Sequence, residues 1–214
     1  MNEIHDRMGV TNLSEYGVGT NPFCHTWKED DIRRYPDDRR HMEEYGDRSH
    51  EAHVQQICAM PWLNFTSLWI LFDFAVADRK EGFLDSDDGV VYTENPDRLY
   101  TNDKGLVTRD RQTKKDVFYL YKAWWNDAEE TVYIAGRRLR RRPAGSTFTL
   151  TAYSNAASLT LLRDGVPVRT LEGSGEISGV IWKFEGLEMG DAETRFELVS
   201  DTGVRDSVSF LPLE

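Results

Sequence analysis

Little in this sequence supports cross-linking by sulfur or metal. Two cysteines in 214 residues, Cys24 and Cys58, make no disulfide framework and fit a reducing compartment. Histidine is scarce as well. Cys24, His25, His50, His53 and Cys58 are zinc-type donors, but their spacing matches neither a zinc finger nor the His-Glu-x-x-His signature, so no metal is expected. The acidic stretch Asp85, Asp87, Asp88 fails as a calcium loop because Gly89 comes one position too early. Positive charge is short: 26 Lys plus Arg against 37 Asp plus Glu leave a formal net charge of −11. That balance argues against a partner held mainly by phosphate neutralisation, and no nucleic acid is expected. Long apolar runs are missing too. The longest is interrupted by Asp73, which argues against a membrane span. Glu3, Asp6 and Arg7 stand where a secretory signal needs an unbroken apolar core, so a cytoplasmic chain is expected if it is expressed as given.

What is present is the balance of a folded protein of one or two domains, with 39% hydrophobic and 29% charged residues. Its character changes near Asn126. Residues 1–125 mix histidines, acids and aromatics with helical periodicity, whereas 126–214 alternate with a period of two and lack His and Cys. A domain boundary is expected there.

In the first part, Gly9 to Glu15 reads as a short strand ending in a carboxylate. From Asp47, the positions His50, His53, Val54, Ile57 and Cys58 share one helical face, and Pro61 ends that helix. Leu63 to Phe72 reads as a buried strand that delivers Asp73, and Thr113 to Trp125 as an amphipathic helix whose polar start is Lys114, Lys115 and Asp116. Strand, helix, strand is the order of a parallel α/β layer. Such a layer with two strands is incomplete and leaves edges and apolar faces in need of cover.

The second part reads as strands throughout: Thr131–Ile134, Thr147–Tyr153, Ser158–Leu162, Val166–Leu171, Val180–Phe184, Arg195–Val199 and Val204–Phe210. Asp164-Gly165 and Thr202-Gly203 mark hairpins. So many short strands in under 90 residues describe a β-sandwich. The arginine run from Arg137 to Arg142 is expected at an inter-domain or solvated edge.

Glu15 is the residue type and position from which chemistry is expected. It follows a short apolar strand and precedes Tyr16-Gly17, with Gly19 beyond, and strand C-termini are where α/β folds present reactive groups. Taken alone, the pattern more often belongs to a solvated loop carboxylate. Asp73 ends the other strand among Trp62, Trp69, Phe72 and Phe74; rings beside carboxylates suit sugars, and they suit an aromatic core strand too.

Ser14-Glu15-Tyr16-Gly17-Val18-Gly19 resembles the nucleophile segment of glycoside hydrolase family 2, which contains β-galactosidases and β-glucuronidases. His25, Glu43-Glu44-Tyr45, His50-Glu51, Trp69 to Phe74, Arg79, Glu81-Gly82, Asn102 to Arg111 and Lys114 to Ala123 follow in the family's order. The resemblance implies the C-terminal portion of a (β/α)8 TIM barrel over 1–125 and an immunoglobulin-like β-sandwich over 126–214. It implies Glu15 as catalytic nucleophile, Trp69 lining the sugar subsite, Tyr16 orienting the nucleophile, and His25 and Asp73 on the same rim. The implied reaction is retaining hydrolysis of terminal β-glycosides without a cofactor, β-galactosides first, then β-glucuronides or another hexoside. The implied partners are an N-terminal portion of the same enzyme or a complementing chain; a homo-oligomer is compatible. A non-catalytic carbohydrate-binding or complementing module is the alternative.

Three departures are evident. The family's Asn-Glu acid/base pair has no counterpart, since Asn2-Glu3 precedes the strand, so the isolated chain is expected to be weakly active or inactive. Ile70 stands where the family carries a polar Asn. Phe83 to Thr101 forms an acidic insertion.

Overall fold

The computed structural model describes residues 11–28, 41–76, 91–92 and 101–213. The expected features at Glu3, Arg79, Glu81-Gly82, Asp85 to Gly89 and most of the insertion lie outside the described residues. Strand β1 (Thr11–Tyr16) and strand β3 (Leu63–Leu68) pair in parallel, with Leu13 opposite Thr66 and Tyr16 opposite Leu68. Helix α1 (Glu43–Cys58) makes the crossover. Short pairs flank them: β2 (Cys24–His25) with β5 (Val91–Tyr92), and β4 (Phe74–Ala75) with β6 (Thr101–Asn102). Helix α2 (Asp116–Trp125) follows.

Helix α1 starts four residues before the expected Asp47. Its first turn holds Glu43 and Glu44, which the positive helix N-terminus favours. The buried stripe is Glu43, Gly46, Asp47, His50 and Val54, so a carboxylate edge lies inward beside the expected apolar positions. Gly46 has to be glycine, because a Cβ there would overlap the Thr20 side chain. The helix stops at Ala59, ahead of Pro61.

The expected buried strand from Leu63 to Phe72 is shorter and half open. It ends at Leu68, and Phe65 is 57% exposed. With β1 as its one partner among the described strands, β3 has an uncovered side. Beyond it the Trp69–Ile70 peptide is cis. The segment from Lys104 to Val107 then runs beside this loop: Ile70 N–H donates to Lys104 O at 3.2 Å, Leu106 N–H to Ile70 O at 3.0 Å, and Asp73 N–H to Val107 O at 2.9 Å. Helix α2 begins at Asp116, not Thr113, because Lys115 is drawn inward as described below.

From Val132 the chain is a β-sandwich. One sheet has the order β11 (Val166–Glu172), β10 (Ser158–Arg163), β13 (Thr194–Ser200), β14 (Arg205–Leu213), β8 (Arg141–Pro143); the other is β12 (Ile181–Glu188), β9 (Thr147–Ser154), β7 (Val132–Ile134). Asp164 and Gly165 adopt positive φ of 51° and 82°, the conformation an Asp-Gly hairpin turn requires. Strand β8 was hidden in the arginine run. It pairs in parallel with the end of β14, and Arg142 lays its guanidinium over the rings of Phe210 (4.1 Å) and Phe148 (4.8 Å). Side chains such as Trp182, Phe184, Phe196 and Phe210 fill the space between the sheets. A second core spans residue 126: Val54, Leu120 and Tyr121 from the helices pack with Tyr133, Tyr153 and Ile181 from the sandwich.

Candidate active site

Alternation along β1 decides which way its last side chains face. Tyr16 is buried at 7% exposure and Glu15 is exposed, so the two point to opposite faces of the strand. Tyr16 packs edge-on against His53 at 5.5 Å and lies 6.4 Å from the Tyr121 ring, in the layer between strand and helices. It therefore supports the strand from behind and does not share the face of Glu15.

The pairing of β1 continues just past the end of β3, as Trp69 N–H donates to Tyr16 O at 2.8 Å. Glu15 and Trp69 thereby stand at the C-terminal ends of adjacent parallel strands. Gly17, at φ 138°, makes this approach possible: a Cβ there would overlap the Trp69 carbonyl oxygen. Trp69 is 38% exposed and meets the Phe74 ring edge-on at 6.1 Å, leaving part of the indole open.

Asp73 lies beneath this loop and not on an open rim. Its Oδ1 accepts from Lys115 Nζ at 2.8 Å and from Gly105 N–H at 2.7 Å. Burial pushes its carboxyl up to about 6, with the Lys115 ammonium pulling the other way. Lys115 is fully buried and gives a second hydrogen bond to Asp103 O at 2.7 Å. Asp103 in turn meets His41 Nδ1 at 2.6 Å. The effect is to tie the Trp69 loop, the segment after β6 and the start of α2 into one unit.

His25 is also interior, 1% exposed. Its Nδ1 bonds Glu44 Oε1 at 2.8 Å and its Nε2 lies 3.1 Å from Pro22 O. Burial opposes its charge, but Glu44 and Glu43 prevail and hold the imidazole up at about 9, so it is an imidazolium at neutral pH. Next to it, Glu43 and Asp116 share Arg138 Nη1, each at 2.6 Å, and Asp116 also accepts from Tyr133 O–H and Gly136 N–H, both at 2.5 Å. Burial and Asp116 push Glu43 up to about 7. Arg138 thus carries part of the arginine run into a junction between α1, α2 and the sandwich.

Lys115 and Asp116, expected as part of the polar helix start, are both fully buried, and no local pattern marks them as interior. His50, fully buried, bonds Tyr121 Oη at 2.9 Å through Nδ1, and burial brings it down to about 3, a neutral packing histidine. Among the described residues no three His, Cys, Asp or Glu side chains are grouped to hold a metal ion.

No family model matches the chain. It is 31% identical over 199 residues to a β-glucuronidase of Bacteroides fragilis, covering 92% of this chain and 26% of that protein. The FMN-binding β-glucuronidase from Facaelibacterium prausnitzii L2-6 has a similar structure, with a TM-score of 0.78 and 30% identity over 100% of this chain and 29% of that one. A putative β-galactosidase from Bacteroides fragilis superposes with a TM-score of 0.81 at 23% identity, over 99% of this chain and 29% of that one. The chain spans a little over a quarter of the length of these relatives.

Proposed function

We propose that this chain, which matches the C-terminal part of a glycoside hydrolase family 2 enzyme, supplies the nucleophile half of a retaining β-glycosidase acting on terminal β-glucuronides. The observation that carries the reading is the placement of an exposed Glu15 and a half-open Trp69 on neighbouring strand ends. In this reading β1 and β3 are the last two strands of a (β/α)8 barrel formed by residues 1–125, and residues 126–214 are the immunoglobulin-like sandwich after it.

An ionised Glu15 attacks the anomeric carbon from the face opposite the leaving group and forms a glycosyl ester. Water then cleaves the ester, so the β configuration is regenerated. Trp69 offers a ring face to the C–H side of the sugar, and the Asp73–Lys115 pair fixes the loop that carries it. In this reading the proton donor for the leaving group comes from a segment outside residues 11–213. The exposed apolar side chains Phe65, Leu71 and Trp69 on and after β3 are the surface on which that part, or a complementing chain, closes.

Glucuronide is preferred to galactoside because the relatives at 30–31% identity carry the name β-glucuronidase.

Labelling with 2-deoxy-2-fluoro-β-glucuronyl fluoride tests this, because fluoride departs without a proton donor. Mass spectrometry of the chain, alone and co-expressed with its upstream barrel segment, is expected to find one adduct on the peptide containing Glu15. The adduct should vanish in Glu15→Gln and form more slowly with the galactosyl fluoride. An adduct on another carboxylate, or none in the co-expressed enzyme, rules the reading out.

A further inference from the structure

A cleft of about 600 Å³ opens between α1 and the sandwich, and neither Glu15 nor Trp69 lines it. We propose that this cleft is a second carbohydrate site, taking a neutral polyhydroxylated ligand of disaccharide size, apart from the site of the proposed glycosidase chemistry.

The size is that of a small-molecule site, within roughly 300–1,000 Å³. One wall comes from Trp27 and from Glu44, Asp47 and Glu51; the sandwich contributes Arg142, Phe148, Tyr153 and Lys183. Asp47 is the residue that points to a ligand. It is 6% exposed, and its Oδ1 has no hydrogen-bond partner. A polar atom orphaned in a folded interior costs stability unless something fills its valence. Burial, together with Asp116, Glu43, Glu44 and Glu51, pushes this carboxyl well above its ordinary range.

Arg142 repeats the pattern from the opposite wall. One terminal nitrogen donates to Gly136 O at 3.3 Å, while its buried Nε has no partner. The remaining charges answer one another: Glu51 accepts from Tyr153 O–H at 3.0 Å and has Lys183 Nζ at 4.0 Å, and Lys183 sits 3.2 Å from Glu176. Among the described lining residues four acidic side chains, Glu44, Asp47, Glu51 and Glu185, accompany three basic ones, Arg48, Arg142 and Lys183, with no surplus of positive charge for a phosphate or sulfate. Hydroxyl groups, each both donor and acceptor, satisfy acid and guanidinium alike without bringing charge of their own. The hydroxyls of Thr149 and Thr151 and the indole of Trp27 extend the same chemistry, the ring matching the apolar C–H face of a pyranose.

Titration of the 214-residue chain with lactose and with cellobiose, followed by calorimetry and by amide chemical shifts, tests the proposal. Saturable millimolar binding is expected for at least one of the two, with shifts concentrated at Asp47, Tyr153 and Lys183. Trp27→Ala should weaken it about tenfold or more, equivalent to about 1.4 kcal/mol. Asp47→Leu should weaken it similarly while keeping or raising the melting temperature, since it removes an unpaired buried acid. Glu15→Gln should leave it unchanged, which separates this site from the labelling reaction. The exposed Glu185→Ala, which does not threaten folding, should weaken binding by a smaller factor. Absence of saturable binding by both sugars overturns the proposal. So does binding that Glu15→Gln abolishes and Trp27→Ala spares, or a cleft that takes FMN or inorganic phosphate in preference to either sugar.

Discussion

The sandwich after Val132 and the strand–helix layer before it hold together by different means. The sandwich has two facing sheets and a core of side chains such as Leu150, Leu161, Trp182 and Phe196, all drawn from its own strands. The layer has one parallel strand pair, borrows Tyr133, Tyr153 and Ile181 from the sandwich to complete its core, and buries Glu43, Asp73, Lys115 and Asp116. A closed pair of sheets satisfies its apolar surface locally. A two-strand layer has too few apolar neighbours, so ion pairs and a borrowed surface fill the interior, and Phe65, Trp69 and Leu71 remain uncovered.

The largest effect is expected from breaking the sandwich core. Trp182→Ala should cost about 3–5 kcal/mol, a truncation that leaves a cavity and also removes the indole N–H bond to Ser154 O. Because the layer rests on the sandwich, helical circular dichroism should be lost in the same urea transition as the sheet signal. Survival of the helices past that transition would show that the layer stands alone.

Lys115→Met strikes the layer itself. At pH 7 it removes the ammonium that keeps the buried Asp73 ionised, driving that carboxyl toward its neutral acid, and about 3 kcal/mol should be lost. The loss should shrink toward pH 5, where Asp73, already pushed up to about 6, takes a proton. Urea melts at the two pH values measure the difference; an equal loss at both would contradict an ionic role.

The wild-type pH profile carries a smaller change of definite sign. Glu43 at about 7 and Asp73 at about 6 hold protons more tightly folded than unfolded, so their stabilisation is full below about pH 4 and is lost as pH climbs through those values. His25, raised to about 9, loses its contribution between about pH 6.5 and 9. His50, lowered to about 3, works oppositely and withdraws stability as pH falls below about 6.5. Melting temperature should therefore fall as pH rises from about 5 to about 9, and Glu43→Gln should flatten the slope between about pH 5 and 7. A variant with an unchanged slope over that interval would remove Glu43 from the account.

The smallest expected change in stability is at the uncovered surface. Phe65→Lys should alter stability by no more than about 0.5 kcal/mol, as its side chain is mostly solvated already. Self-association in sedimentation velocity should fall, and co-expression with an upstream barrel segment should be impaired.

The strands of the sandwich were legible because alternation over six to nine residues and Asp-Gly or Thr-Gly turns are local signals. Strand β8 escaped because Arg141, Arg142 and Pro143 show no alternation; Arg142 is placed by two rings, one of them 68 positions away in sequence. In the layer, the strand that carries Glu15 and the turn glycine after it were readable locally. The role of Asp73 was not, since its ammonium partner comes 42 residues later and its amide partner 32 residues later. Tyr16 was assigned to the nucleophile by adjacency, whereas strand pleat sends neighbours to opposite faces.

Composition and local pattern determined the sheet-rich second half and a carboxylate near the end of a strand, because each depends on residues within a few positions of one another. The tertiary structure decided which charges became interior, that Glu15 and Trp69 share two adjoining strand ends, and that a polar cleft lies between helix and sandwich. Those outcomes come from pairings across dozens of residues, where burial raises the cost of an unmatched charge until a distant partner meets it.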